Sequence, residues 1–505
     1  MAWSDSIDFG EWLPDQPTLS APALRLAQNV IPRARGYDMW PTPIDAGRGS
    51  LDTFCRGAFS SRSRQGTDFV VAGTTGKLHL ATTGALSDVT WVTAPYTSTT
   101  RWNFDLFGDD VIAVNYDDVP QRYVLGTSTV FAAVHADAPR ARHCAVVREF
   151  LVFGNLVGRG VHAAIYGTRE DGVHWGGQGS SSSWPQTGTS AAQAVLSDWQ
   201  PIVDEGGEIT SMVGGTDYGL IFKRRSIHRM DFVGGSEFFI FNRIDAKIGA
   251  YVPGSALRIG GVTYFLSESG VYASDGSNPS QPIGNERVDR WLHNHINHTR
   301  LERVAAFQHP TKPLIGWTFM SNEATGNAMD MGLLYNWAVN RFTALAFPSE
   351  WMVAAVQAGA SLDAAPYAAG NLDTTYAGLD LDSLTGGVER ELSVFNASHR
   401  LDTLTGSPAV GAIQTGEFEL TPGRISFVRA VRPLFDEAGS TMSLSLYTRN
   451  RLRVDALGSL PVTDDATGKF NVRSSGRYHS ALIQYFGPFQ EVHGLAADVI
   501  AQGMR

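Results

Sequence analysis

The chain is predicted to be mostly β: a β-propeller of about six blades, with an extended N-terminal arm before it and a C-terminal antiparallel β-sandwich after it. Three observations carry this prediction. Strand–turn–strand units recur at roughly 40 to 50 residues, the spacing of propeller blades. Glycine (53) and proline (23) are abundant and charged residues make up only 18% of the 505, a profile of short strands and turns rather than long helices. Residues 261–276, GVTYFLSESGVYASDG, alternate apolar and polar side chains on both sides of the turn Glu268-Ser269-Gly270, which specifies a tight hairpin read as the inner part of a blade.

The elements follow in order. Residues 1–56 are rich in Pro, Asp and Arg, and their X-Pro steps hold the backbone extended, as an arm lying across another surface. Residues 57–363 hold the propeller hairpins, among them DFVVAGTTGKLHLAT (68–82), DVIAVNY (110–116) and VVREFLVF (146–153). A helix over 286–297 interrupts them, with Val288, Trp291, Leu292 and Ile296 on the face that packs on a blade. Residues 364–415 shift to Ala, Asp, Leu, Thr and Gly and repeat one phrase, LDSLTG (381–386) and LDTLTG (401–406), as a closing segment. Residues 416–505 return to alternating strands with one polar face, a small sandwich.

Charge and cysteine content narrow the function classes. A net charge of −10 argues against a protein that grips nucleic acid by neutralising phosphates. Two cysteines, Cys55 and Cys144, in no paired spacing, exclude a disulfide framework and point to folding in a reducing cytoplasm. The acidic start, MAWSDSIDFGE, lacks the basic and apolar regions of an export signal, and no run approaches the length of a bilayer span.

Several residues invite a chemical reading, each beside a plainer one. His293, His295 and His298 sit near one helix end; only the last two have a spacing that lets a helix face share a ligand, and a solvated helix end is the plainer reading. TREDGVHW (168–175) approaches an Asp-box turn, with Glu170 where an Asp is usual, and reads as a turn rather than a centre. Asp109, Asp110, Asp117, Asp118, Asp380 and Asp382 lack calcium-loop spacing and read as solvated turns, or as acids facing a channel. Lys223, Arg224, Arg225 and Arg229 form the strongest basic cluster, suited equally to a salt-bridged interface between protomers and to a phosphate contact. There is no GxSxG, HExxH, P-loop or post-strand GxGxxG, so no catalytic residue, metal or cofactor is assigned and the chain is not expected to be an enzyme.

An ordered series of phrases carries a resemblance: LPDQP (13–17), AQNVIP (27–32) and GY (36–37); YGLIF (218–222) with SIHRM (226–230); FLSESGVY (265–272) with IGNERVDR (283–290); the paired LD[ST]LTG; GEF (416–418); and GRY (476–478). Spanning nearly the whole chain, it resembles the tail nozzle proteins of short-tailed bacteriophages, also called tail tubular protein B or packaged-DNA stabilisation protein. The resemblance implies a virion tail protein assembled in the host cytoplasm, six copies forming a ring below the portal and adaptor. Its further implied partners are tail fibre, spike or needle proteins and, transiently, double-stranded DNA in an acidic lumen that repels the backbone and lets it slide. The alternatives are a sialidase-like propeller glycosidase, which needs several arginines brought together, and a carbohydrate-binding module using Tyr478, Tyr485 and Phe489.

Overall fold

The computed structural model describes residues 5–19, 23–82, 84–93, 96–235, 237–356, 390–435, 441–465, 468–487 and 491–501. Among them the propeller has seven four-stranded antiparallel blades, one more than expected. Blades 1 to 6 follow the chain, at 57–88, 103–133, 140–201, 209–245, 257–282 and 305–349. Blade 7 is assembled from Trp351–Val356, Arg390–Phe395, Arg400–Thr403 and, as its outermost strand, Ile44–Ser50 from the N-terminal arm. That last strand accounts for the missing blade. IDAGRGS has no apolar alternation, so it is a strand only because Arg400–Thr403 pairs with it. The propeller therefore takes in 44–50 and 390–403, beyond the 57–363 expected; the first LD[ST]LTG phrase lies outside the described residues, and the second ends blade 7.

Within each blade the first strand lines the ring axis, and adjoining first strands make the wall, closed where Trp351–Val356 meets Gly57–Arg62. Second strands are covered on both faces. Phe150–Val157 and Leu314–Phe319 are accordingly near-continuous apolar runs rather than alternating ones. The hairpin at 261–276 is confirmed but sits one layer out: Val262–Ser267 and Gly270–Ser274 are the second and third strands of blade 5, and Leu257–Ile259 is its inner strand. TREDGVHW is the third strand of blade 3, Thr168–Trp175, and not a turn; it pairs on both edges, and Arg169 reaches Asp171 along the strand.

The C-terminal sandwich is built from both ends of the chain. One sheet contains Asp5–Asp8, Val30–Pro32, Tyr37–Met39, Ser426–Phe435, Ser474–Gly476 and Val492–Ala501. The other contains Leu24–Gln28, Gly411–Thr415, Met442–Arg449 and Tyr478–Tyr485 with two short edge strands, and it continues into blade 6, because Leu24–Gln28 pairs in parallel with Arg341–Ser349. One apolar core crosses the junction, holding Leu444, Ile483 and Val428 of the sandwich together with Trp12 of the arm and Trp317, Leu333 and Phe342 of blade 6.

The arm is a set of specific contacts. Asp15 accepts hydrogen bonds from the backbone N–H groups of Arg290 (2.8 Å) and Trp291 (2.9 Å), a remote carboxylate capping the helix Asp289–His295. Trp12 is fully buried with its ring edge-on to Trp291, and Glu11 pairs with Arg287. Asn29, in the left-handed region at φ 53°, donates to the carbonyls of Ala346 and Val410 and accepts from the Ala346 N–H, tying blade 6 to the sandwich. Arg48 is buried and donates to the carbonyls of Val356, Gly84 and Thr82, fastening blade 7 to blade 1.

Candidate functional site

One concave feature is the propeller axis, a cavity of about 670 Å³ lined by the inner strands of all seven blades. The sequence places a guanidinium across it. Arg101 precedes the inner strand of blade 2, and its side chain spans the ring to donate to the carbonyls of Pro253 (2.9 Å) and Val304 (3.2 Å), which precede the inner strands of blades 5 and 6. Its guanidinium lies 5.0 Å from the Trp351 ring centroid at the start of blade 7. The crossing requires Gly254, since a Cβ there would run into the guanidinium. Arg101 thus crosses the tunnel from blade 2 toward blades 5, 6 and 7.

Polar groups on the wall are unevenly satisfied. His143, on the inner strand of blade 3, is 3% exposed, and its Nε2 has no hydrogen-bond partner among the described residues. Burial, then the nearby Arg101 and Arg142, pull its imidazole down to about 3, so it is neutral. Arg101 keeps an unpaired Nε–H, and burial draws its guanidinium down to about 10. Asp105 accepts from the N–H groups of Leu106 and Val146, yet burial still pushes its carboxyl up to about 6. At the other end stand Arg258, stacked 4.4 Å from the Tyr218 ring, and Arg390, paired with Asp68 at 2.8 Å. Three arginines and one carboxyl line the cavity.

The residues singled out in the sequence lie elsewhere. Lys223 is 1% exposed and paired with Asp204, which also accepts from Ser226 and His228, so it reaches neither a neighbouring protomer nor a phosphate. Burial alone would raise the Asp204 carboxyl, but these donors hold it well below the usual range. Arg224 pairs with Glu208, Arg225 with Glu268 and Arg229 with Asp231, all inside the chain. The basic cluster is therefore spread over separate intramolecular pairs rather than gathered into one patch.

The acids are mostly turn acceptors. Asp109 accepts from the Arg64 N–H, Asp117 from Thr99, and Asp118 from Thr97 and Asn115, whereas Asp110 pairs with Arg122 and accepts from the Ser181 hydroxyl. None of these four lines the tunnel; Asp380 and Asp382 lie outside the described residues. At the helix end, His295 Nδ1 contacts the Trp291 carbonyl (2.7 Å), and the His293 and His298 rings pack 4.4 Å apart. Cys55 and Cys144 are both buried free thiols.

Sequence reasoning missed Arg101, His143, Asp105, Arg258 and Arg390, because tunnel-lining positions come in runs of two to four from each of seven separated strands. The only local signal was a charged or imidazole side chain inside an otherwise apolar inner strand, as in RARHCAVV and NFDLF.

No protein-family model and no curated protein sequence matches this chain. By structure it is similar to a chain of the mitotic checkpoint complex (10% identity, TM-score 0.38, covering 74% of this chain and 96% of that one). It is also similar to the dihydro-haem d1 dehydrogenase NirN in complex with DHE (12%, TM-score 0.35, 83% and 76%) and to BamB from Moraxella catarrhalis (10%, TM-score 0.35, 79% and 96%). At these identities and scores the similarities carry no inference about function.

Proposed function

We propose that this chain is a structural subunit of a short-tailed bacteriophage tail, six copies of which form the nozzle that retains packaged double-stranded DNA and conducts it at ejection. The observation that supports the reading is the junction where phrases of the resemblance interlock. LPDQP caps the IGNERVDRWL helix, whose Asp289 accepts from the Val271 N–H in the turn of FLSESGVY. AQNVIP joins blade 6 to the sandwich; GEF bonds the arm through Thr18 and the GRY strand through His479. Phrases hundreds of residues apart form one mechanical unit, as a subunit that must carry load between two domains requires.

On this reading the conduit lies between copies. A cavity of about 670 Å³ barred by Arg101 cannot pass a duplex whose major groove alone is about 12 Å wide. The portal and adaptor ring above, and tail fibre, spike or needle proteins beside it, are the neighbours the role calls for. Averaged cryo-electron microscopy of particles containing the protein tests the proposal. A sixfold ring on the tail axis is the expected result; a free monomer with no particle association sinks it. The second reading, a ligand-binding propeller, is favoured by the arginine-lined cavity on the propeller axis alone.

A further inference from the structure

We infer that the loop 450–463, at the outer edge of the sandwich, docks its leucines into an apolar pocket beside the helix Asp289–His295 of a second copy of this chain. The inference deepens the ring proposed above, by naming the two surfaces that meet, and rests on that reading.

From Asn450 to Gly458 every residue is exposed, although the run holds Leu452, Val454 and Leu457, and Leu460 follows it. Leu457 and Leu460 are 79% and 85% exposed. An aliphatic side chain held in water forgoes the burial that drives folding, and four of them in the stretch 452–460 mark a surface that another surface covers. The loop's two short strands, Leu457–Gly458 and Val462–Thr463, both pair with Met442–Arg449. They form the free edge of the ten-stranded sheet whose opposite edge is Ala305–Gln308, on the propeller axis. The leucines therefore stand at the end of that sheet away from the propeller.

The pocket lies between the blade 5 turn at Glu268 and Ser269 and the helix Asp289–His295, with Val252, Leu266, Leu292, Ile296 and Leu301 as its apolar lining. Its volume of about 290 Å³ is below the roughly 300–1,000 Å³ of drug-sized ligand sites and suits aliphatic side chains. Charge points to a second copy as the occupant. The pocket carries two carboxylates, Glu268 and Asp289, against one guanidinium, Arg290. The loop carries the reverse, Arg451 and Arg453 against Asp455, and neither arginine has a carboxylate partner among the described residues. A chain of net charge −10 repels its own copies at a distance, and this loop is a stretch where the sign reverses. Because loop and pocket are different surfaces, the contact is heterologous: each copy gives and receives, and copies add head to tail until a ring closes.

Cys55 and Cys144 are buried, so surface cysteines introduced in pairs report the contact alone. The purified full chain carrying Leu457→Cys with Ser269→Cys, on the pocket rim, is concentrated and oxidised; Leu457→Cys with Val203→Cys, an exposed position between blades 3 and 4, is the control. The expected result is a reducible ladder of species beyond the dimer, at least about tenfold stronger than the control's. Adding Leu452→Asp and Leu460→Asp, both at exposed positions, should leave the melting temperature unchanged and abolish the ladder. A ladder no stronger than the control's overturns the proposal, as does one that the two aspartates leave intact. Sedimentation of the chain with vesicles of anionic phospholipid, while no ladder forms, also overturns it and assigns the loop to a lipid surface. The nozzle reading fails separately. A sixfold ring in particles whose protein carries Leu452→Asp and Leu460→Asp sinks the contact and keeps the nozzle, whereas a ladder from the purified chain with no ring on any particle keeps the contact and sinks the nozzle.

Discussion

Blades 1 to 5 and the junction of blades 6 and 7 with the sandwich solve the same problem in opposite ways. In the first group each sheet is a meander of strands adjacent in sequence, so every blade closes on local pairing. At the junction the pairings are remote: Ile44–Ser50 with Arg400–Thr403, Leu24–Gln28 with Gly411–Thr415 and with Arg341–Ser349, Asp5–Asp8 with Val492–Ala501. Local sheets make a ring that tolerates change in any one blade. Remote pairing makes the ring and the sandwich a single body, at the entropic cost of closing loops of several hundred residues.

The largest expected effect breaks the junction while leaving the blades intact. Trp12→Ala should cost about 3–5 kcal/mol, because a fully buried indole is lost from the core shared by arm, blade 6 and sandwich. Denaturant unfolding should then split into two transitions; a single transition at a lower midpoint would show that ring and sandwich cooperate through other contacts. Within the ring, Lys223→Met strands the Asp204 carboxylate in the interior and should cost about 3 kcal/mol, without separating the two bodies.

Acid separates the regions in a second way. His143 in the ring is neutral when folded, with its imidazole pulled down to about 3, whereas the unfolded chain takes up the proton below about 6.5. Stability from this group is therefore lost as pH falls from about 6.5, on the order of 3 kcal/mol at pH 4. His309 and His479, each pulled down to about 4, add in the same direction, one in the ring and one in the sandwich. Asp105 and Asp289, raised to about 6, act oppositely: their burial penalty is fully present above about 6 and is relieved as pH falls toward their unfolded values. Melting curves from pH 7 to 4 should fall, and His143→Gln should flatten the fall.

Asp15→Ala removes the remote helix cap and should cost about 1 kcal/mol, detectable as faster amide exchange at Arg290 and Trp291. The smallest effect belongs to Arg225→Ala. Its pair with Glu268 is exposed on both sides, so a change beyond about 0.5 kcal/mol in a melt would mean that the basic cluster has a role the isolated chain does not reveal.

What the chain determines by itself follows from local physical chemistry. Alternation and turn residues fix the hairpins; the expected helix over 286–297 is shorter, Asp289–His295, with Leu292 buried and Trp291 half-buried on it and the buried Val288 and Ile296 at its caps. The β class and the two-part architecture follow, because each hairpin's information is contained within about a dozen residues. Tertiary structure alone decided the rest. IDAGRGS is a strand because a partner 350 residues away has a free edge, and Asp15 is a cap because the arm lies over a helix that starts at Asp289. The tunnel is the extreme case: Arg101, His143, Asp105, Arg258 and Arg390 come from four blades and the approach to one of them, and no spacing encodes their meeting. Only closure of the ring turns seven unrelated inner strands into one wall, and closure is a property of the whole chain.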